Sequence, residues 1–195
     1  MNIICDGISN TDDNTYEVGL DELAKSSHGI FEVISEATYK DILGTAEDKR
    51  LKKSKKIVTE YKGVTDSRGW IKFETRSSAD KNKKYVQYIK LKEAKDMKYF
   101  NEFNDRDIIR LFMSGSLEVY CSCPDFKYRQ KYAAKNGGFG IYKEDRFPNK
   151  RNPELKNLTC KHLLSVLSVL PNNWTRIAKD MKDTKFYKKI MGENK

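Results

Sequence analysis

Three of the four cysteines and one of the two histidines stand in two tight pairs, Cys121-Ser122-Cys123 and Cys160-Lys161-His162. Soft thiolates and an imidazole, two donors from each of two local turns, are what tetrahedral zinc takes. A disulfide within Cys121-Ser122-Cys123 would close a strained small ring, which favours a metal over an oxidised pair. Two other readings stay open. The cysteines are reduced structural thiols, or one thiol is a nucleophile with His162 as its base. The nucleophile reading leaves two further cysteines without a role. Cys5 and His28 stand apart from both pairs.

The elements around the pairs must bring them together. Ser116–Cys121 alternates apolar and polar residues and predicts a strand, stopped by Pro124. Cys160 opens an apolar stretch that predicts a helix ending before Pro171, with Leu163, Leu164, Leu167 and Leu170 facing the strands. Upstream, Trp70–Arg76 and Tyr85–Leu91 both alternate and predict a hairpin across the polar connection Ser77–Lys84. Ile71 and Phe73 share one face, and Ile89 and Leu91 are placed to meet them. Asn104 is placed to cap a helix that carries Ile108, Leu111 and Phe112 and ends at Gly115. Two strands, a helix, a strand, a knuckle, an insert and a helix make an α+β fold with a small antiparallel sheet, packed helices and a zinc staple.

The paired ligands resemble the SWIM-type zinc finger, whose pattern is Cys-x-Cys, a variable spacer, then Cys-x-His. The resemblance implies that Cys121, Cys123, Cys160 and His162 hold Zn2+. The spacer, residues 124–159, is longer than is usual in that family. A second resemblance joins Arg110-Leu-Phe-Met-Ser-Gly-Ser-Leu-Glu-Val-Tyr-Cys-Ser-Cys-Pro-Asp-Phe126 to Asn157-Leu-Thr-Cys-Lys-His-Leu-Leu164. In that order they are similar to a module of virion structural proteins in tailed bacteriophages. This resemblance implies a neck, tail or baseplate component that joins other virion proteins in many copies. Unpaired thiols suit a reducing compartment, so synthesis in a bacterial host's cytoplasm is expected.

Charge is uneven along the 195 residues. The net charge is +10, yet residues 1–50 hold 11 acids and 4 bases, while residues 51–100 hold 15 bases and 6 acids. An acidic head on a basic body fits nucleic-acid binding, or docking of head on body between neighbouring subunits, or a solvated Lys-rich surface. The densest run, Lys49, Arg50, Lys52, Lys53, Lys55 and Lys56, reads best as the solvated face of a helix. The insert 124–159 interleaves nine bases with Phe126, Tyr128, Tyr132, Phe139, Tyr142 and Phe147. Such a mixture suits stacking on single strands. The reading favoured over that one packs the rings beneath a loop tethered at both ends. Asn136-Gly137-Gly138-Phe139-Gly140 reads as a turn or flexible tip, and it lacks the Gly-Lys-Ser/Thr of a phosphate loop.

Three segments follow: a mixed N-terminal arm over 1–60, the α+β domain over 61–170, and a helical tail over 171–195. In the arm, a short helix near Leu20–Lys25, a helix over 30–43 and a helix capped by Thr45 are expected. In the tail, Trp174, Ile177 and Met181 fit one helical face. Hydrophobic residues reach only 38%, so the core is thin for the length. No run is apolar enough for a membrane span, and the start lacks the pattern of a secretory signal. Four protein donors would close a zinc shell and leave no place for water, which argues against an enzyme. The expected function is therefore a zinc-binding structural protein of a phage particle. The alternative is a SWIM-like module that binds nucleic acid.

Overall fold

A computed structural model describes residues 42, 46, 48–77, 80, 82–94, 105–155, 158–190 and 192. The expected helices near Leu20–Lys25 and over 30–43, apart from Ile42, lie outside the described residues, as do the caps Thr45 and Asn104. In chain order the elements are α1 (Asp48–Ser54), β1 (Thr59–Val64), β2 (Ile71–Arg76), β3 (Lys84–Leu91), α2 (Asp105–Ser114) and β4 (Leu117–Cys121). A π-helical turn (Phe126–Gln130), α3 (Lys131–Asn136), α4 (Lys161–Asp183) and α5 (Lys185–Ile190) follow among the described residues.

The strands form one antiparallel meander in the order β1-β2-β3-β4. Alternation sets its two faces. Ile71, Phe73, Ile89, Leu91, Leu117 and Val119 point inward, and each is at most 1% exposed. The expected register holds where it was legible: Ile71 lies opposite Ile89, while Leu91 pairs with Leu117 on β4. The outer face is polar at one end, where Glu74 gathers Lys62, Lys72 and Lys84. At its other end it carries the rings of Trp70, Tyr88 and Tyr120. The architecture is α+β, as the sequence predicts.

Helix α4 lies across the inner face and is the spine of the molecule. His162 to Leu167 are buried without a break, because the sheet flanks the helix on one side and α1 and α2 pack on others. Two corrections follow from its packing. The helix does not stop before Pro171 but runs through it to Asp183. A proline inside a helix removes the hydrogen bond to residue i−4, here the Leu167 carbonyl, and costs about 3 kcal/mol. Beyond Pro171 the helix buries Ile177, Ala178 and Met181 completely, and burial of that size outweighs the lost bond. The second correction is β1, a strand the sequence reading omits. Its side chains tie it to α4. Thr59 Oγ1 lies 2.7 Å from Ser165 Oγ, and the Tyr61 hydroxyl donates to Asp180 Oδ2 at 2.7 Å. The register slips between Tyr61 and Gly63, where Gly63 takes φ +100°, so the alternation is interrupted midway along a short edge strand.

Helix α5 closes the far end. The Lys185 and Phe186 amides donate to Asp66 Oδ1 and the Asp66 carbonyl at 2.7 and 3.0 Å. The Phe186 and Tyr187 rings lie against Gly69, where a Cβ would meet Phe186 at 2.3 Å. Gly69 also has φ +62°, so the turn into β2 needs glycine for both space and conformation.

The segment after Pro171 is thus structural. Ile177→Ala is expected to cost about 2–5 kcal/mol in urea unfolding. A chain ending at Leu170 is expected to lose cooperative unfolding altogether. Pro171→Ala restores an N–H and should melt no lower than the parent protein.

Candidate metal centre

Strand β4 ends at Cys121, directly opposite Gln87 on β3. The chain turns through Ser122, whose amide donates to the Val86 carbonyl at 2.9 Å and whose hydroxyl accepts from the Val86 amide at 2.9 Å. This pair holds the knuckle on the end of the sheet and aims Cys123 back beside Cys121. On the other side, Cys160 is the N-cap of α4 in extended conformation (φ −87°, ψ 161°), and its sulfur accepts from the Leu163 amide. His162 sits in the first turn. The sheet edge and the helix start meet, and the four donor atoms lie within 4.8 Å of one another. All four residues are buried.

The donor set fits zinc on three counts. First, a Zn–S bond of about 2.3 Å implies donor separations near 3.8 Å in a tetrahedron, so shifts under about 1 Å complete the shell. Second, both ring nitrogens of His162 are buried without a hydrogen-bond partner. A buried imidazole left so is costly unless a nitrogen is spent on a metal. The ring is held in place by Tyr85, centroid to centroid 4.8 Å. Third, the sulfurs sit in a ring of donors. Cys121 Sγ accepts from the Cys123 amide at 3.5 Å and from Gln87 Nε2 at 3.4 Å. Cys123 Sγ accepts from the Phe126 amide at 3.3 Å, and Cys160 Sγ from the Leu163 amide at 3.5 Å. Such outer-shell donors orient thiolates and disperse their charge.

Electrostatics point the same way. Burial pushes the Cys160 and Cys121 thiols above the usual thiol range. Cys123 is held well below it, because the Cys121 and Cys160 thiols crowd its sulfur, with the His162 ring beside it and the Phe126 amide donating to it. Burial therefore opposes ionising all three sulfurs together. A dication removes that limit, since thiolate binding displaces the remaining protons. Cys121, Cys123 and Cys160 form no disulfide.

The insert leaves this centre and returns to it as a packed layer. Phe126 and Phe139 are 1% exposed, and Tyr132 meets Phe147 edge to face at 5.3 Å. Residues 139–141 run beside β4: the Val119 amide donates to the Phe139 carbonyl and the Ile141 amide to the Val119 carbonyl. The glycine-rich tip is therefore a tight closure. A Cβ on Gly140 would meet the Lys135 amide nitrogen at 2.7 Å. Tyr142 folds over the outer sheet face against Trp70 and Tyr120. Asp125 joins Arg50 of α1 at 2.8 Å and Arg129 at 3.3 Å. Glu144 joins Arg146 at 2.9 Å and Lys131 at 3.5 Å. The basic run on α1 mostly faces solvent, apart from Arg50. Gln87, the donor to Cys121, is a site residue the sequence reading missed. A polar residue at an inward position of β3 is the signal that could have found it.

The Glu144 carboxyl is held down at about 2, mainly by the Arg146 guanidinium. A depressed acid stabilises the fold above its unfolded value near 4.3, and that contribution fades as pH falls toward 2. Arg146 is largely exposed, so screening reduces the contribution to about 1 kcal/mol or less. Glu144→Gln is expected to lower stability by that amount at pH 7 and to match the parent near pH 2, measured by urea unfolding at both.

The family model of the SWIM zinc finger matches residues 104–142. That span holds Cys121 and Cys123 and stops short of Cys160 and His162, which the fold supplies from beyond the insert. Searches of curated proteins and of solved structures find no match. Residues 104–142 are similar to the SWIM zinc finger, and the buried Cys-x-Cys on a strand end and Cys-x-His on a helix start form a zinc-binding cluster.

Proposed function

We propose that Cys121, Cys123, Cys160 and His162 bind zinc as a closed structural centre, and that the protein acts as an assembly component rather than an enzyme. The observation that carries this is the buried meeting of four donors at the junction of sheet and spine helix. A shell filled by three thiolates and an imidazole has no position for a water or substrate. No helix among the described residues is long and apolar enough to cross a membrane.

The finer reading places the protein in the neck, tail or baseplate of a tailed-phage particle, in several copies and against other virion proteins. It follows synthesis in the host cytoplasm, where unpaired thiols stay reduced. Its support is the resemblance of residues 110–126 and 157–164 to the virion module. The packed insert, with Asp125, Glu144 and Asp145 engaged in ion pairs, also suits a rigid building block.

Three experiments test the two levels. Cobalt(II) in place of zinc is expected to give a tetrahedral thiolate spectrum that azide leaves unchanged; a spectral response would mean an open position and would revive catalysis. Cys160→Ser, or chelation of the parent protein, is expected to abolish cooperative melting, since structural zinc contributes about 10 kcal/mol or more. An unchanged melt would remove the metal from the fold. For the placement, mass spectrometry of purified particles should find the chain at a fixed copy number, and its absence from them would sink the virion reading.

A further inference from the structure

The ion pairs of the insert leave a remainder. Lys127, Lys143, Lys150 and Arg151 have no acid partner among the described residues. Lys150 and Arg151 line a groove of about 390 Å³ together with Tyr128, Phe147, Pro148 and Asn149. That volume is in the range of small-ligand sites, about 300–1,000 Å³. Tyr128 is 49% exposed, the most exposed ring among the described residues. Lys127 Nζ lies over it at 5.1 Å. Tyr142, 37% exposed, still packs on Trp70 and Tyr120, and the other rings of the insert lie on a neighbouring ring or in the core; among the described residues Tyr128 is the ring most open to solvent, beside cations with no acid partner there.

The groove is also built in advance. The Asn152 side-chain amide donates to the Arg129 carbonyl at 3.0 Å and joins the 148–152 turn to the π-helical turn. The Arg151 and Asn152 amides both donate to the Pro148 carbonyl at 3.2 Å. Leu155 then takes φ 50° while fully buried, which anchors the turn from its other side. An exposed ring, an apolar floor and three cations on an ordered frame match a chain of flat rings joined by phosphates.

We propose that this groove binds single-stranded nucleic acid. One base stacks on Tyr128, and Lys127, Lys150 and Arg151 neutralise the adjoining phosphates. The site is separate from the zinc centre and goes beyond the assembly role, which stands or falls without it. Arg129, basic and next in sequence, is not part of it, because Asp125 holds its guanidinium.

The test uses the zinc-loaded full chain and fluorescence anisotropy with a labelled oligothymidine. A duplex of equal length and polyglutamate serve as competitors, across a salt series. The parent protein is expected to bind the single strand at least tenfold more tightly than the duplex. Tyr128→Ala is expected to weaken binding by roughly 5- to 150-fold, the range of one lost base stack. Lys150→Gln with Arg151→Gln should flatten the salt dependence by about 1.4 in log–log slope. Lys188→Gln with Lys189→Gln on α5 changes the same charge elsewhere and should leave binding within twofold. Zinc content and melting of every variant should match the parent, since none of the substituted side chains is buried. Groove variants that bind as the parent does would overturn the site while leaving nucleic-acid binding elsewhere. No binding near 150 mM salt, or displacement by polyglutamate as readily as by DNA, would overturn the proposal and turn the groove over to an acidic protein partner. Neither result bears on the zinc centre or on the particle.

Discussion

The fold depends on one closure: the end of β4 must meet the start of α4 across an insert of residues 124–159. Four buried donors within 4.8 Å make that closure. Without a cation it works against itself, since burial resists ionising Cys121 and Cys160 while geometry crowds three sulfurs together. With one, the same crowding becomes a shell. Loop-closure cost rises only slowly with length, by about 0.6 kcal/mol per doubling. A spacer longer than the family's usual one is therefore tolerated, provided it finds packing of its own. It finds that packing through Phe126, Phe139, the bridge to Val119 and the ion pairs at Asp125 and Glu144.

The closure also explains why α4 is the spine. Cys160 caps it and His162 sits in its first turn, so the helix leaves the centre in one fixed direction. That direction carries it over all four strands. Its first half buries Leu163, Val166, Leu167 and Leu170, and its second half Ile177 and Met181. A helix held this firmly at one end and buried along both halves can carry a proline in the middle. The local defect at Pro171 is small against the packing on either side.

What could be read in the residues was local. Each ligand pair lies within three positions, and each inner strand repeats at period two, so the zinc donors, the β2–β3 hairpin and β4 were legible. What failed was decided at a distance. β1 reads poorly because Gly63 interrupts a six-residue edge strand, and its reasons to be a strand, Ser165 and Asp180, lie over 100 residues away. Pro171 reads as a stop because propensity is a weak local prior that tertiary burial overrides. Gln87 reads as one polar residue in a strand until Cys121 is placed opposite it. The four ligands were legible as pairs and their meeting followed from the Cys-x-Cys and Cys-x-His pattern, but the packing of the insert between them was not, since the partners of residues 124–159 lie on β4 and α1.

Charge shows the same division between what composition holds and what folding sorts. A net +10 and nine bases in the insert suggest a polyanion partner with no indication of where it would lie. Folding spends the bases unequally. Arg129, Lys131, Lys135 and Arg146 go to Asp125, Glu144 and Asp145, so they serve the insert's own structure. The rings divide likewise, into those that fill the layer and the one that does not. Cations and a ring left over by the same packing stand together around one groove. A surface feature of this kind is defined by subtraction: it is what remains after the closure has taken the side chains it needs. An insert too long for its finger thus has two parts, a packed half that repays the entropy of the loop and an exposed edge free for another use.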